Sequence, residues 1–131
     1  MKRTVSIILI VVTVLLCFTA CGSKIDKADA YIKQANKNTL MNCAYSAKYK
    51  EDVSYHGNVY EVSVILPYDS DEQKLVITMK AADVAKNIYP ELESILKNDK
   101  SVDHIMIFFY YLDGYMYDGI YTDGKWTWLD L

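Results

Sequence analysis

Between residues 43 and 50 the chain alternates. Cys43, Tyr45, Ala47 and Tyr49 fall on one side, and Ala44, Ser46, Lys48 and Lys50 on the other. Period two marks a strand with one buried face. The same alternation returns at 59–66, with Tyr60, Val62, Val64 and Leu66 on one side and Glu61 and Ser63 on the other. The polar stretch through His56-Gly57-Asn58 between them reads as a turn, so the two strands are expected to form an antiparallel hairpin.

Before this hairpin the period changes. Ile25, Ala28, Ile32, Ala35 and Thr39/Leu40 recur at three- and four-residue steps, which predicts a helix over 24–41, with Ser23 or Asp26 available to cap its start. After the hairpin, Ser70-Asp71-Glu72-Gln73 has the form of a capping box. Leu75, Met79, Ala82, Ala85, Ile88, Leu92 and Ile95 then keep helical spacing as far as Lys97. A helix from about 71 is expected, kinked or split at Pro90, although a strand at 74–80 fits Leu75-Val76-Ile77-Thr78 as well.

The last third reads as strand throughout: 104–112, 115–122 and 126–129, broken at Asp113-Gly114 and Asp123-Gly124, both hairpin-turn dipeptides. These elements predict an α+β fold, with an N-terminal helix and a second helical segment packed on an antiparallel sheet, in the order α-β-β-α-β-β-β.

Two-residue turns would fix the register of this meander. They would pair Leu112 with Tyr115, Tyr110 with Tyr117, Phe108 with Gly119, Tyr121 with Trp126, and Gly119 with Trp128. Directly paired residues share a face. One face would therefore collect Tyr110, Tyr115, Tyr117, Tyr121, Trp126 and Trp128, with Gly119 as a strand glycine or bulge. Tyr and Trp combine a large apolar body with a polar handle and dominate binding hot spots, which makes these six the candidate binding face. The competing reading is that large aromatics form core.

The N-terminus carries a different signal. Met1-Lys2-Arg3 is followed by an apolar run from Thr4 to Leu16, then Cys17-Phe18-Thr19-Ala20-Cys21-Gly22-Ser23. A basic end, an apolar stretch and small residues before a cysteine form a secretory layout. This segment resembles the lipobox signal of bacterial lipoproteins, with Phe18 where Leu is usual. The resemblance implies cleavage after Ala20 and palmitate-type lipid attachment at Cys21. The expected organisation is a signal peptide at 1–20, a lipidated N-terminus at 21–23 and one small domain at 24–131. The protein would be extracytoplasmic and lipid-anchored to the cell membrane. The alternative is an uncleaved membrane helix over the same stretch.

Charge sharpens this picture. The chain holds 14 basic and 17 acidic residues and has a net charge of -3. Loss of Lys2 and Arg3 would leave 12 lysines, no arginine and a net charge of −5. No positive field would draw in nucleic acid, and no guanidinium would clamp a phosphate. The lysines crowd residues 24–50 and the aspartates residues 99–131, suggesting a basic membrane-proximal end and an acidic distal sheet.

The sequence contains no zinc-protease, nucleophile-elbow, phosphate-loop or paired-cysteine motif. Asp113, Asp118 and Asp123 read as turn and strand residues rather than a calcium site, and Cys43 as core filler. The chain is thus expected to be no enzyme and to need no metal or cofactor. It would be an interaction module whose partners are the membrane, through its lipid, and an envelope protein or cell-wall component. The alternative is an accessory small-ligand-binding or envelope-enzyme subunit.

Overall fold

The computed structural model describes residues 22–128; residues 1–21, which hold the expected signal peptide and Cys21, and residues 129–131 lie outside them. The elements are α1 (Lys24–Lys37), β1 (Ala44–Asp52), β2 (Gly57–Ile65), α2 (Lys74–Leu96), β3 (His104–Tyr110), β4 (Met116–Thr122) and β5 (Lys125–Trp128). Short 3-10 turns occupy Leu40–Asn42 and Val53–Tyr55. The fold is α+β, with one five-stranded sheet in the order β1-β2-β3-β4-β5.

The sheet is mixed, not antiparallel as expected. β3 runs parallel to β2, with Val62 opposite Ile107 and Val64 opposite Phe109. The cause is α2. Its 23 residues carry the chain back about 35 Å at about 1.5 Å per residue, so β3 starts at the end where β2 started. A helical crossover of this length is what a parallel pair requires. This parallel pair and the two 3-10 turns are where the architecture departs from the expected arrangement. The other pairings are antiparallel, including the β1–β2 hairpin, with Tyr45 opposite Val64 and Tyr49 opposite Tyr60.

Residues 74–80 are helix, not strand. β2 is already paired on both sides, by β1 and β3, so it has no free edge for a further strand. The helix starts later than the expected capping box. Gln73 precedes it without a side-chain cap. Ser70 instead donates its backbone N–H (3.2 Å) and its hydroxyl (2.6 Å) to the Asp113 carboxylate. The helix also runs unbroken through Pro90. Proline removes the donor that the Lys86 carbonyl would receive. Both Lys86 and Pro90 are exposed, so water can take the donor's place.

At the N-terminus Ser23 makes a reciprocal capping box. Its hydroxyl accepts from the Asp26 N–H at 3.0 Å, and the Asp26 carboxylate accepts from the Ser23 N–H at 3.2 Å. α1 therefore begins three residues after Cys21. Both helices cover one face of the sheet. Ala28, Ile32 and Ala35 from α1, and Ile77, Ala81, Val84, Ile88 and Leu92 from α2, close over Tyr45, Tyr60, Val62, Val64, Ile107, Phe109 and Tyr117. Buried Tyr60 donates its hydroxyl to Asp29 of α1 at 2.8 Å, which fixes that helix to the sheet. The other face has a small cluster of Val59, Met106 and Ile120, with Tyr55 and Phe108 against it. Beside it Glu61 sits between Lys50 (2.8 Å) and Lys48 (3.4 Å).

The topology gives the domain two distinct ends. α1, β2 and β3 start at one, where α2 finishes and the Lys24 ammonium donates to the Lys97 carbonyl. This is the proximal end, next to Cys21 in sequence. At the other, distal end β2 and β3 finish and α2 and β4 start. α1 runs from the first end towards the second. Its lysines are therefore spread along the domain, and only Lys24 and Lys27 lie in the first turn. Among the described residues no helix is long and apolar enough to cross a membrane.

Candidate functional site

Of the six aromatics expected on one face, Tyr117, Tyr121, Trp126 and Trp128 share it, on the side of the helices, and Tyr110 does not. Tyr117 is core, 1% exposed, with its hydroxyl paired to Thr78 of α2. Tyr121 and Trp126 are half-buried beneath the helices; the Tyr121 ring meets Tyr89 of α2 edge-on at 5.0 Å. Tyr110 lies on the opposite face, half-buried between Ile65 and Met116. Only Tyr115 (66% exposed) and Trp128 (46%) are open to solvent.

The turn after β3 explains the difference. Its loop has three residues, Leu112-Asp113-Gly114, rather than two. The Tyr111 N–H donates to the Tyr115 carbonyl at 2.7 Å, and the Gly114 N–H to the Tyr111 carbonyl at 3.1 Å. Gly114 takes a φ of +90°, which glycine tolerates without strain. One extra loop residue slips β4 by one position, and a one-residue slip exchanges the faces. Tyr110 thus pairs with Met116, and Phe109 with Tyr117. A bulge at Asp118-Gly119 then moves the register on to Phe108 opposite Ile120, which preserves the exchanged faces. The second turn holds as expected, with Tyr121 opposite Trp126 and Gly119 opposite Trp128. The ring nearest Gly119 is that of Trp126, and a β-carbon there would stand 3.0 Å from it. Trp128 stacks on Trp126 at 5.6 Å and 16°.

Chemistry inside the domain is quiet. Cys43 is buried, and burial pushes its thiol up, away from the nucleophilic thiolate. It lies beside the start of β1 at the distal end. His104 opens β3 at the proximal end, its ring nitrogen 3.1 Å from the Tyr55 carbonyl. The chain therefore builds no Cys-His pair from them. No group of three or more His, Cys, Asp or Glu among the described residues is placed to hold a metal. A groove of about 350 Å³ lies between α1 and β1, lined by Asp29, Asn36, Lys33, Lys37 and Tyr45 among others. Two of its polar groups already act as struts: Asp29 accepts from Tyr60, and the Asn36 Oδ1 accepts from the Tyr45 N–H at 2.9 Å.

The conspicuous surface is the distal end. Ten large apolar side chains among the described residues remain exposed, and only Tyr49 and Val53 lie away from it. The others are Ile65, Leu75 (68%), Val76, Met79 (61%), Leu112, Tyr115, Met116 and Trp128. They come from the end of β2, the first turns of α2, the β3–β4 loop and β5. An open cleft of about 480 Å³ runs between the start of α2 and Trp128, lined by Lys74, Leu75, Thr78 and Trp128. Hydrogen bonds hold the loops around it. Tyr68 accepts from the Leu112 N–H at 2.8 Å, and Ser70 is bound to Asp113 as described. The Ser70 hydroxyl holds the Asp113 carboxyl below its ordinary value of 3.8.

Leu75 and Met79 were expected to face the core. The residues that do so are Ile77, Ala81, Val84, Ala85, Ile88 and Leu92. That second stripe was present in the sequence. Two overlapping apolar stripes on one helix are the available sign that one of them lacks an internal partner. In comparison with known proteins, the chain matches no family model, no curated protein and no solved structure.

Proposed function

We propose that this protein is a membrane-anchored extracytoplasmic interaction module, tethered through a lipid on Cys21 and engaging an envelope partner with its distal end. One observation carries the reading: the exposed large apolar side chains gather at the end opposite the start of α1. Monomeric soluble domains rarely leave such side chains together without a partner for them. The lipobox resemblance over residues 1–23 supports the tether, and two acyl chains suffice for stable anchoring. With α1 beginning three residues after Cys21, the tether is short. α2 then holds Leu75 about 32 Å and Met79 about 26 Å from its proximal end, and Trp128 lies across the cleft from Leu75. The partner surface is therefore part of the meander together with the first turns of α2, rather than the six meander aromatics alone.

The experiment has two arms in cells expressing the full chain. Metabolic labelling with an alkyne fatty acid is expected to tag the wild type and not Cys21→Ser, which should leave the membrane fraction. A photo-crosslinker placed at Leu75 or Tyr115 should capture a discrete envelope protein, while one at Val53, at the proximal end, should not. Absence of lipid label overturns the tether. Equal capture from both ends overturns the distal surface.

A further inference from the structure

The chemistry of the partner follows from what surrounds the exposed apolar end. Residues 66–79 and 110–118 supply its loops, strand ends and helix start. They contain Asp69, Asp71, Glu72, Asp113 and Asp118 against a single cation, Lys74. The first four acids are exposed. Asp113 is held in its charged form by Ser70. Asp69 accepts from the Asp71 N–H at 3.2 Å, which orders the loop that presents Asp71 and Glu72. The next lysine along α2, Lys80, lies close enough to Cys43 at the β1 side to act on its thiol. Lys33 and Lys37 are on α1, which packs over β1; β1 and β5 are opposite edges of the five-stranded sheet, so these two α1 lysines lie about 19 Å from Trp128 at about 4.8 Å per strand. The patch is thus apolar at its centre and acidic at its rim.

We infer that the distal end docks a basic, apolar polypeptide segment: Leu and similar side chains enter the cleft between Leu75, Thr78 and Trp128 and cover exposed Met79, one turn from Leu75, and flanking Lys or Arg residues meet Asp69, Asp71, Glu72 and Asp113. The inference rests on the reading of the distal end as a docking surface and adds the partner's charge. Complementary charge at a rim steers association and rejects wrong partners more than it sets affinity. An anionic wall polymer would be repelled by this rim. A second copy docked through the same surface would bring the same acids face to face, so a symmetric self-pairing is disfavoured.

Trp126 and Trp128 are the only tryptophans, and they stack on one another beside the cleft. The chain therefore carries its own reporter. The test uses the full chain in zwitterionic nanodiscs, titrated with a soluble Trp-free peptide of Lys, Leu and Ser, and with its counterpart in which Glu replaces Lys. Empty nanodiscs are the blank. The basic peptide is expected to change the tryptophan emission saturably, and the acidic peptide to bind at least about tenfold more weakly. Raising salt from about 50 to about 500 mM should narrow that gap. The exposed triple variant Asp69→Asn/Asp71→Asn/Glu72→Gln should lose about five- to tenfold in affinity for the basic peptide. Leu75→Ser/Met79→Ser should abolish binding of both peptides. If both peptides bind equally, or the triple variant binds the basic peptide as well as wild type, the inference is overturned while the docking surface stands. If neither peptide binds and Leu75→Ser/Met79→Ser changes nothing, the docking surface falls with it.

Discussion

Ile77 and Leu75 are two residues apart, and the helix turns them in opposite directions. Ile77 is 0% exposed under α2, whereas Leu75 and Met79 face water. In a strand, residues at i, i+2 and i+4 would line one face, and all three would be buried or exposed together. Truncation to alanine separates the two geometries. Ile77→Ala removes three buried carbons, about 2.4 kcal/mol at about 0.8 kcal/mol per carbon, and the residual cavity brings the cost to about 3–4 kcal/mol. In a domain of this size that is a fall of about 12–30 °C in Tm, or at least about 1 M in the urea midpoint. Leu75→Ala and Met79→Ala should each stay within about 0.5 kcal/mol, as exposed substitutions do. Urea unfolding of the three variants, followed by far-ultraviolet circular dichroism, measures this directly. Equal losses above about 2 kcal/mol for all three would refute the helical placement of 74–80. A neutral Ile77→Ala would refute its burial. The same Leu75 and Met79 variants also show whether binding and folding have been separated on one helix.

Two further outcomes follow from local geometry. Because the folded-state pKa of Asp113 is lowered, its contribution to holding the 68–73 loop is present above the ordinary value of 3.8 and is lost as pH falls through the lowered one. The Ser70 amide, which donates to Asp113, should accordingly lose hydrogen-exchange protection below about pH 4 in the wild type. In Asp113→Ala it should show no such transition. Gly57→Ala should destabilise the proximal end by about 1–3 kcal/mol. The new β-carbon would stand 2.6–2.9 Å from Asp103 and displace the carboxylate that accepts from the Asn58 N–H at 2.8 Å. Chemical denaturation measures the loss, and unchanged stability would show that Asp103 moves aside freely.

The elements of the fold were legible wherever a period was uninterrupted. Alternation placed β1 and β2 and their hairpin, and three- and four-residue steps placed α1. The parallel pairing was also implicit. A long helix between consecutive strands returns the chain to the end where the first strand began, which makes the two strands parallel wherever they are neighbours, as β2 and β3 are. The start of α2 was obscured because Ser70-Asp71-Glu72-Gln73 satisfies a local rule that a tertiary bond overrides. Ser70 spends its hydroxyl on Asp113, a residue 43 positions away, and no local pattern records such a partner.

The site was harder to locate than the fold because it depends on parity. An Asp-Gly dipeptide fits a two-residue turn with Asp113 and Gly114 at its tip. It fits equally a three-residue turn in which Gly114 alone takes the positive φ. The flanking alternation cannot decide between them here, because residues 105–111 are apolar on both faces. A single residue of loop then determines whether Tyr110 or Phe109 faces the helices. The helix-side environment settles it: Phe109 and Tyr117 lie beneath α2, and Thr78 binds the Tyr117 hydroxyl. With those aromatics committed to the core, the apolar side chains left over are Leu75 and Met79 on the helix and Leu112, Tyr115 and Trp128 beyond it. Their exposure is what a fold already closed without them leaves over, and that surplus, rimmed by acids, is the observation on which the proposed docking surface rests.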